Sequence, residues 1–157
     1  MKVLFTPIIA FSLSIISPTW AGTSPDPVCD SVKSFVESVR PDEIRKITFR
    51  TVWGGNFKGV AEPVLFAKNC DHNGYEPAKA VCLDLMEYGA VEFAATNALR
   101  VVSCLSPQTH FAPEVNFENG AFSLSHGNSN RGSLISVEYS EDSIFGGMAL
   151  RVSVDGY

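Results

Sequence analysis

Four cysteines, Cys29, Cys70, Cys82 and Cys104, constrain this chain more than any other feature. The residues ahead of them say where they must function. Lys2 is the only charge before Asp26, an apolar run from Val3 to Ile16 follows it, and small residues stand at Thr19 and Ala21. This is the layout of a secretory signal cleaved after Ala21. The apolar run is too short to cross about 30 Å of hydrocarbon and contains Pro7, which argues against a membrane helix. Residues 1–21 are therefore expected to be a signal peptide. Residues 22–157 are expected to form a single soluble domain, periplasmic or secreted, with no membrane attachment after cleavage and enough length for its own core.

In an oxidising compartment an even number of cysteines implies two disulfides, with three pairings open. A zinc site would want close pairs of the Cys-x-x-Cys type, and the spacings provide none. No metal and no cofactor are expected. Loss of Lys2 with the signal makes the domain one unit more negative than the −5 of the full sequence. Nucleic acid and anionic membrane surfaces reward basic patches, so an acidic domain of this kind points away from both and is compatible with a cationic partner.

Asp26 and Pro27 mark the start of a first helix, as cap and first helical residue. Val28, Val32, Phe35, Val36 and Val39 follow at helical spacing, and Pro41 ends the pattern. From Ile44 to Trp53 the period changes to two, as in a half-buried strand, before the turn residues Gly54-Gly55-Asn56. Residues 57–68 give no decisive pattern. A second helix starts near Pro77, with an apolar stripe of Ala78, Val81, Cys82, Leu85 and Met86, and Gly89 is expected to close it in a left-handed cap. Val91 to Leu105 reads as two short strands around Thr96-Asn97, with a helix over Val91–Leu99 as the alternative. Beyond Pro107, Val115 and Phe117, then Glu118-Asn119-Gly120, then Phe122 and Leu124 suggest a hairpin. His126 to Gly132 is expected to be a polar loop. Alternation then predicts strands around Ile135–Tyr139 and Met148–Val154.

The expected fold class is α+β: two helices packed on a mainly antiparallel sheet, an all-β C-terminal half, and two disulfides. Cys29 lies near the buried face of the first helix and Cys82 on that of the second. These placements favour Cys70–Cys82, with Cys29–Cys104 as the complementary bridge. The first would close a loop from residue 70 to residue 82 and stabilise by about 3 kcal/mol.

The chemistry-bearing residues do not assemble into a recognisable catalytic set. Acyl transfer needs a serine or cysteine nucleophile beside a histidine, and no Gly-x-Ser-x-Gly elbow is present. A zinc hydrolase would want paired histidines at helical spacing, also missing. Glu62, Glu76, Asp84, Glu87 and Glu92 offer carboxylates, but no spacing singles out a pair. His110, between Pro107 and Pro113, reads as a solvated loop residue. What remains is contact. The loop Asp71-His72-Asn73-Gly74-Tyr75 is braced by a cysteine on either side, and Asp71, His72, Asn73 and Tyr75 are candidate binding residues. His126 and Arg131 are candidates in the second polar loop.

The expected function is binding and inhibition of another exported protein, in the manner of a lysozyme inhibitor or a toxin-immunity protein, with a cationic enzyme or toxin as partner. A small secreted hydrolase and a structural or accessory subunit of the cell envelope are the alternatives.

Overall fold

The computed structural model describes residues 26–112, 115–128 and 130–157. The expected signal peptide lies outside the described residues.

Helix α1 spans Pro27–Ser38. Asp26 caps it, its carboxylate accepting from the amides of Val28 at 3.0 Å and Cys29 at 3.4 Å. Val28, Val32, Phe35 and Val36 are fully buried, as their spacing requires. A buried aromatic such as Phe35 contributes roughly 2–3 kcal/mol by leaving water. Strand β1 (Ile44–Trp53) is followed by a long connection into β2 (Phe66–Asp71), which settles the undecided segment. The connection is pinned where Lys58 donates its amide to Phe145 O at 2.7 Å.

Helix α2 covers Glu76–Tyr88. Of its expected stripe, Ala78, Val81, Cys82 and Leu85 are buried, whereas Met86 is largely exposed. Gly89 departs from expectation in a more informative way. Its φ is −67°, extended rather than left-handed. The glycine is required by space: a Cβ there would collide with Leu85 O and the ring of Phe49.

The two strands expected between Val91 and Leu105 are not formed. Ala95–Leu105 is helix α3. Its Ala95, Ala98, Val101, Val102 and Cys104 are buried against the rest of the helical layer and the sheet. Asn97, read from sequence as part of a turn, is buried within the helix. Its side chain accepts from Ala90 N at 2.8 Å and donates to Ala90 O at 2.8 Å and Ala94 O at 3.0 Å, which fixes the α2–α3 connection. The C-terminal half is therefore not all β.

Three strands complete the chain: β3 (Gly120–Asn128), β4 (Arg131–Glu141) and β5 (Met148–Gly156). The expected hairpin across Glu118-Asn119-Gly120 is displaced. Gly120 begins β3, and the hairpin turns instead between Asn128 and Arg131, within the stretch expected to be a loop. The Asn128 carboxamide oxygen accepts from the amides of Asn130 at 2.9 Å and Arg131 at 3.1 Å, so the turn carries its own cap.

The five strands form one antiparallel sheet in the order β2-β1-β5-β4-β3. Among the described residues, three helices lie on one face, over Ile47, Phe49, Ile135, Val137, Leu150, Val152 and Val154. On the opposite face, Thr48, Arg50, Ser123, Ser136, Glu138, Arg151 and Ser153 carry no second layer among the described residues. This is an α+β fold with two disulfides, Cys29–Cys104 between α1 and α3 and Cys70–Cys82 between β2 and α2. None of the described helices is long and apolar enough to cross a membrane.

Candidate contact surface

Antiparallel pairing brings both predicted binding loops to the same end of the sheet, here called the base. The base holds the start of β1, the loop after β2, the end of β5 and the β3–β4 turn. The two loops occupy opposite corners, because β2 and β3 are the two edges. Four strand spacings separate them, about 19 Å. They do not form one pocket, but both lie within the width of a single protein interface.

At the β2 corner, Asp71 is exposed and braces the loop internally, Oδ1 accepting from Asn73 N at 2.8 Å. Asn73 takes a left-handed φ of 49°, and its side chain donates to Lys46 O at 3.4 Å. His72 is half-buried beside Ile44, Arg45 and Lys46, with Nδ1 buried and without a hydrogen-bond partner among the described residues. Tyr75 turns inward. Its hydroxyl donates to Ser38 O at 3.0 Å, its ring meets Phe35 edge-on at 6.1 Å, and the Arg45 guanidinium lies 4.6 Å above it. Tyr75 therefore anchors the loop to α1, and the part of the loop facing outward is Asp71 to Gly74.

At the β3 corner, His126 near the end of β3 and Arg131 at the start of β4 come together across the turn, in strands rather than in the expected loop. They line a cleft of about 280 Å³ with Val36 and Glu37 of α1. The cleft opens on the helical side of the base.

Between the corners lies what the sequence reading missed. Ile44 (59 % exposed) and Leu134 (50 %) flank Asp155 on the uncovered face, and Tyr157 (53 %) follows Gly156 beside them. Parity in the alternation was the available signal. Ile47 and Phe49 point inward, so Ile44 points outward; Ile135 points inward, so Leu134 points outward. This apolar patch is held rigidly. Asp42 N donates to Gly156 O at 2.9 Å, Gly156 N to Glu43 O at 3.0 Å, and Tyr157 N to Gly132 O at 2.9 Å. A side chain at Gly156 would collide with Arg40 O, so the terminal strand fits closely against the turn into β1.

The opposite end of the sheet holds a cleft of about 930 Å³, lined by Glu92, Glu118, Glu138, Glu141, Phe93 and Tyr139, among others. Among the described residues, no lysine or arginine lines it. Burial raises the Tyr139 phenol pKa above its ordinary value. His110 is exposed in the connection after α3, as expected.

No protein-family model, curated protein or solved structure matches the chain.

Proposed function

We propose that this chain is a small exported protein that binds and inhibits another protein through the base of its sheet. The observation that carries this reading is one rigid end of the sheet that presents exposed Ile44, Leu134 and Tyr157 around Asp155, between two polar corners. Apolar centre and polar rim are the anatomy of a protein interface, and about 800 Å² per partner is a standard size. A loop held at Cys70–Cys82 and latched through Tyr75 loses little freedom on binding, which favours affinity. The acidic balance of the chain would steer a cationic enzyme or toxin towards it. Two disulfides are consistent with function outside the reducing cytosol, in the periplasm or after secretion.

The test is capture by tagged residues 22–157 from envelope fractions and from neighbouring-cell secretions. Retention of one partner, lost with Ile44→Lys or Leu134→Lys while the melting temperature stays unchanged, supports the proposal. Failure to retain a partner, or retention indifferent to both substitutions, refutes it.

The carboxylate-lined cleft favours a second reading, a small hydrolase acting on glycosidic bonds by paired carboxylates. Turnover of a polysaccharide that disappears in Glu138→Gln or Glu141→Gln would establish it in place of the first.

A further inference from the structure

An antiparallel sheet that does not close has two edges, and the two edges of this one are unlike. Strand β2 is six residues long, carries Lys68 and Asp71, and is bridged to α2 through Cys70. Short length and charge are the usual means of blunting an edge. Strand β3 has neither. It runs for nine residues, Gly-Ala-Phe-Ser-Leu-Ser-His-Gly-Asn, without a lysine, arginine, aspartate, glutamate or proline. Its partner on one side is β4, and among the described residues no backbone group of β3 bonds to anything on the other side. Its outward face presents only the small side chains Ala121, Ser123 and Ser125, all exposed. On the helical face, Phe122 is flanked edge-on by Phe111 at 5.9 Å and Phe117 at 6.0 Å, while Leu124 is only partly buried at this edge.

We propose that β3 is a pairing edge for a second copy of this chain, joining β3 to β3 of the partner in antiparallel register to make one continuous sheet. Two observations select a second copy over another protein. Antiparallel self-pairing about a two-fold axis is self-complementary, and a strand with no formal charge meets no like charge in any register. Centred on Leu124, it would set Leu124 against Leu124, Ser123 against Ser125, and Phe122 against His126, covering the half-buried Leu124 with its own copy. The same operation on β2 would bring Lys68 or Asp71 against its own kind or within one diagonal of it. The pairing closes at two copies and leaves the β2 edges free, so it does not propagate into fibres.

The experiment is sedimentation equilibrium of residues 22–157, from micromolar concentration to about 1 mM. The mass should double across that range, and the amides of Ser123 and Ser125 should exchange with deuterium more slowly at the high end. Ser123→Lys with Ser125→Lys in one chain, and Ser123→Glu with Ser125→Glu in a second, should each weaken self-association about tenfold or more. Both substitutions lie at exposed positions. Mixing the two variants should restore a dimer. A mass that stays monomeric throughout overturns the proposal, as does a dimer that both variants form as well as the parent chain does.

Discussion

Arg50 on β1 donates through Nε to Asp142 Oδ2 at 2.9 Å, joining positions 92 residues apart where the β4–β5 connection begins. Asp142 is 4 % exposed, and its other oxygen accepts from the amides of Ile144 and Phe145, each at 3.1 Å. Arg50 also lies 4.5 Å over the Phe145 ring, and Arg151 approaches the same carboxylate at 3.4 Å. One carboxylate thus shapes a loop and ties it to the sheet. Asp142→Ala should cost about 3 kcal/mol, because it leaves two guanidinium groups and two amides without their acceptor. Urea unfolding of the variant measures this loss, and Asp142→Asn, which keeps an acceptor for the loop amides, should lose less.

The pH dependence of stability should follow the same residue and Asp26. Burial works against ionisation of Asp142, but the Phe145 amide, Arg50 and the Ile144 amide outweigh it and hold the carboxyl below its ordinary pKa. Hydrogen bonding to Arg100 does most to lower that of Asp26. A carboxyl depressed in the folded state releases its proton there before it does when unfolded. Its contribution is therefore complete above the unfolded value of about 4 and disappears as pH falls through the lower folded value. Unfolding free energy should be flat from pH 7 to about pH 5 and fall steeply below about pH 4. The fall should be shallower in Asp142→Asn, as followed by denaturant titration at each pH.

Gly89 separates two explanations of how α2 ends by a simple substitution. If its role were a left-handed φ, asparagine would be the best tolerated replacement. Because its φ is −67° and the obstacle is Leu85 O and the Phe49 ring, alanine should cost about 2 kcal/mol and asparagine more. Thermal melts of the two variants give the order.

The disulfides should contribute unequally. In the chain-entropy picture Cys70–Cys82, with a separation of 12, stabilises by about 3 kcal/mol. Cys29–Cys104, with a separation of 75, stabilises by about 4.5 kcal/mol. Paired replacement by serine should rank accordingly in guanidinium unfolding. Asp26 and Arg100, bonded Oδ2 to Nε at 2.6 Å, reinforce the longer bridge by joining the same two helices.

At the base, Ile44→Lys, Leu134→Lys and removal of the Tyr157 ring as Tyr157→Ser should each weaken partner capture by tenfold or more. Each should move the melting temperature little, since these side chains already face solvent.

Strong periodicity made α1, β1, α2, β4 and β5 legible, and the cysteine faces made the pairing legible. Helix α3 was obscured by Val101-Val102, which suit strands, and by Asn97, which suits turns. Its helical state rests on burial of Ala95, Ala98 and Val101 and on the Asn97 bonds to Ala90, relationships that exist only in the packed molecule. Asn119-Gly120 has good turn chemistry, yet the turn formed ten residues later. That register sets Phe122 against Val137 and Leu124 against Ile135, and the cross-strand packing outweighs local turn preference. His126 and Arg131 were singled out as polar residues of a loop, but they lie in β3 and β4, and their nearness to Glu37 required the fold. Tyr75 was placed in the correct loop, but its latch to Ser38 bridges residues too distant for sequence spacing to reveal.

The Cys29–Cys104 bridge encloses Cys70–Cys82 in sequence, so native pairing is nested. A chain that emerges from its N-terminus presents Cys29 first, Cys70 next and Cys104 last. An oxidant that joins thiols in order of arrival would make Cys29–Cys70 and strand the other two. Reaching the native pattern then requires thiolate attack on that early bond and exchange through a mixed disulfide. Where thiols are joined in order of arrival, maturation requires isomerisation as well as oxidation, and its yield should depend on a catalyst that can undo a bond already formed.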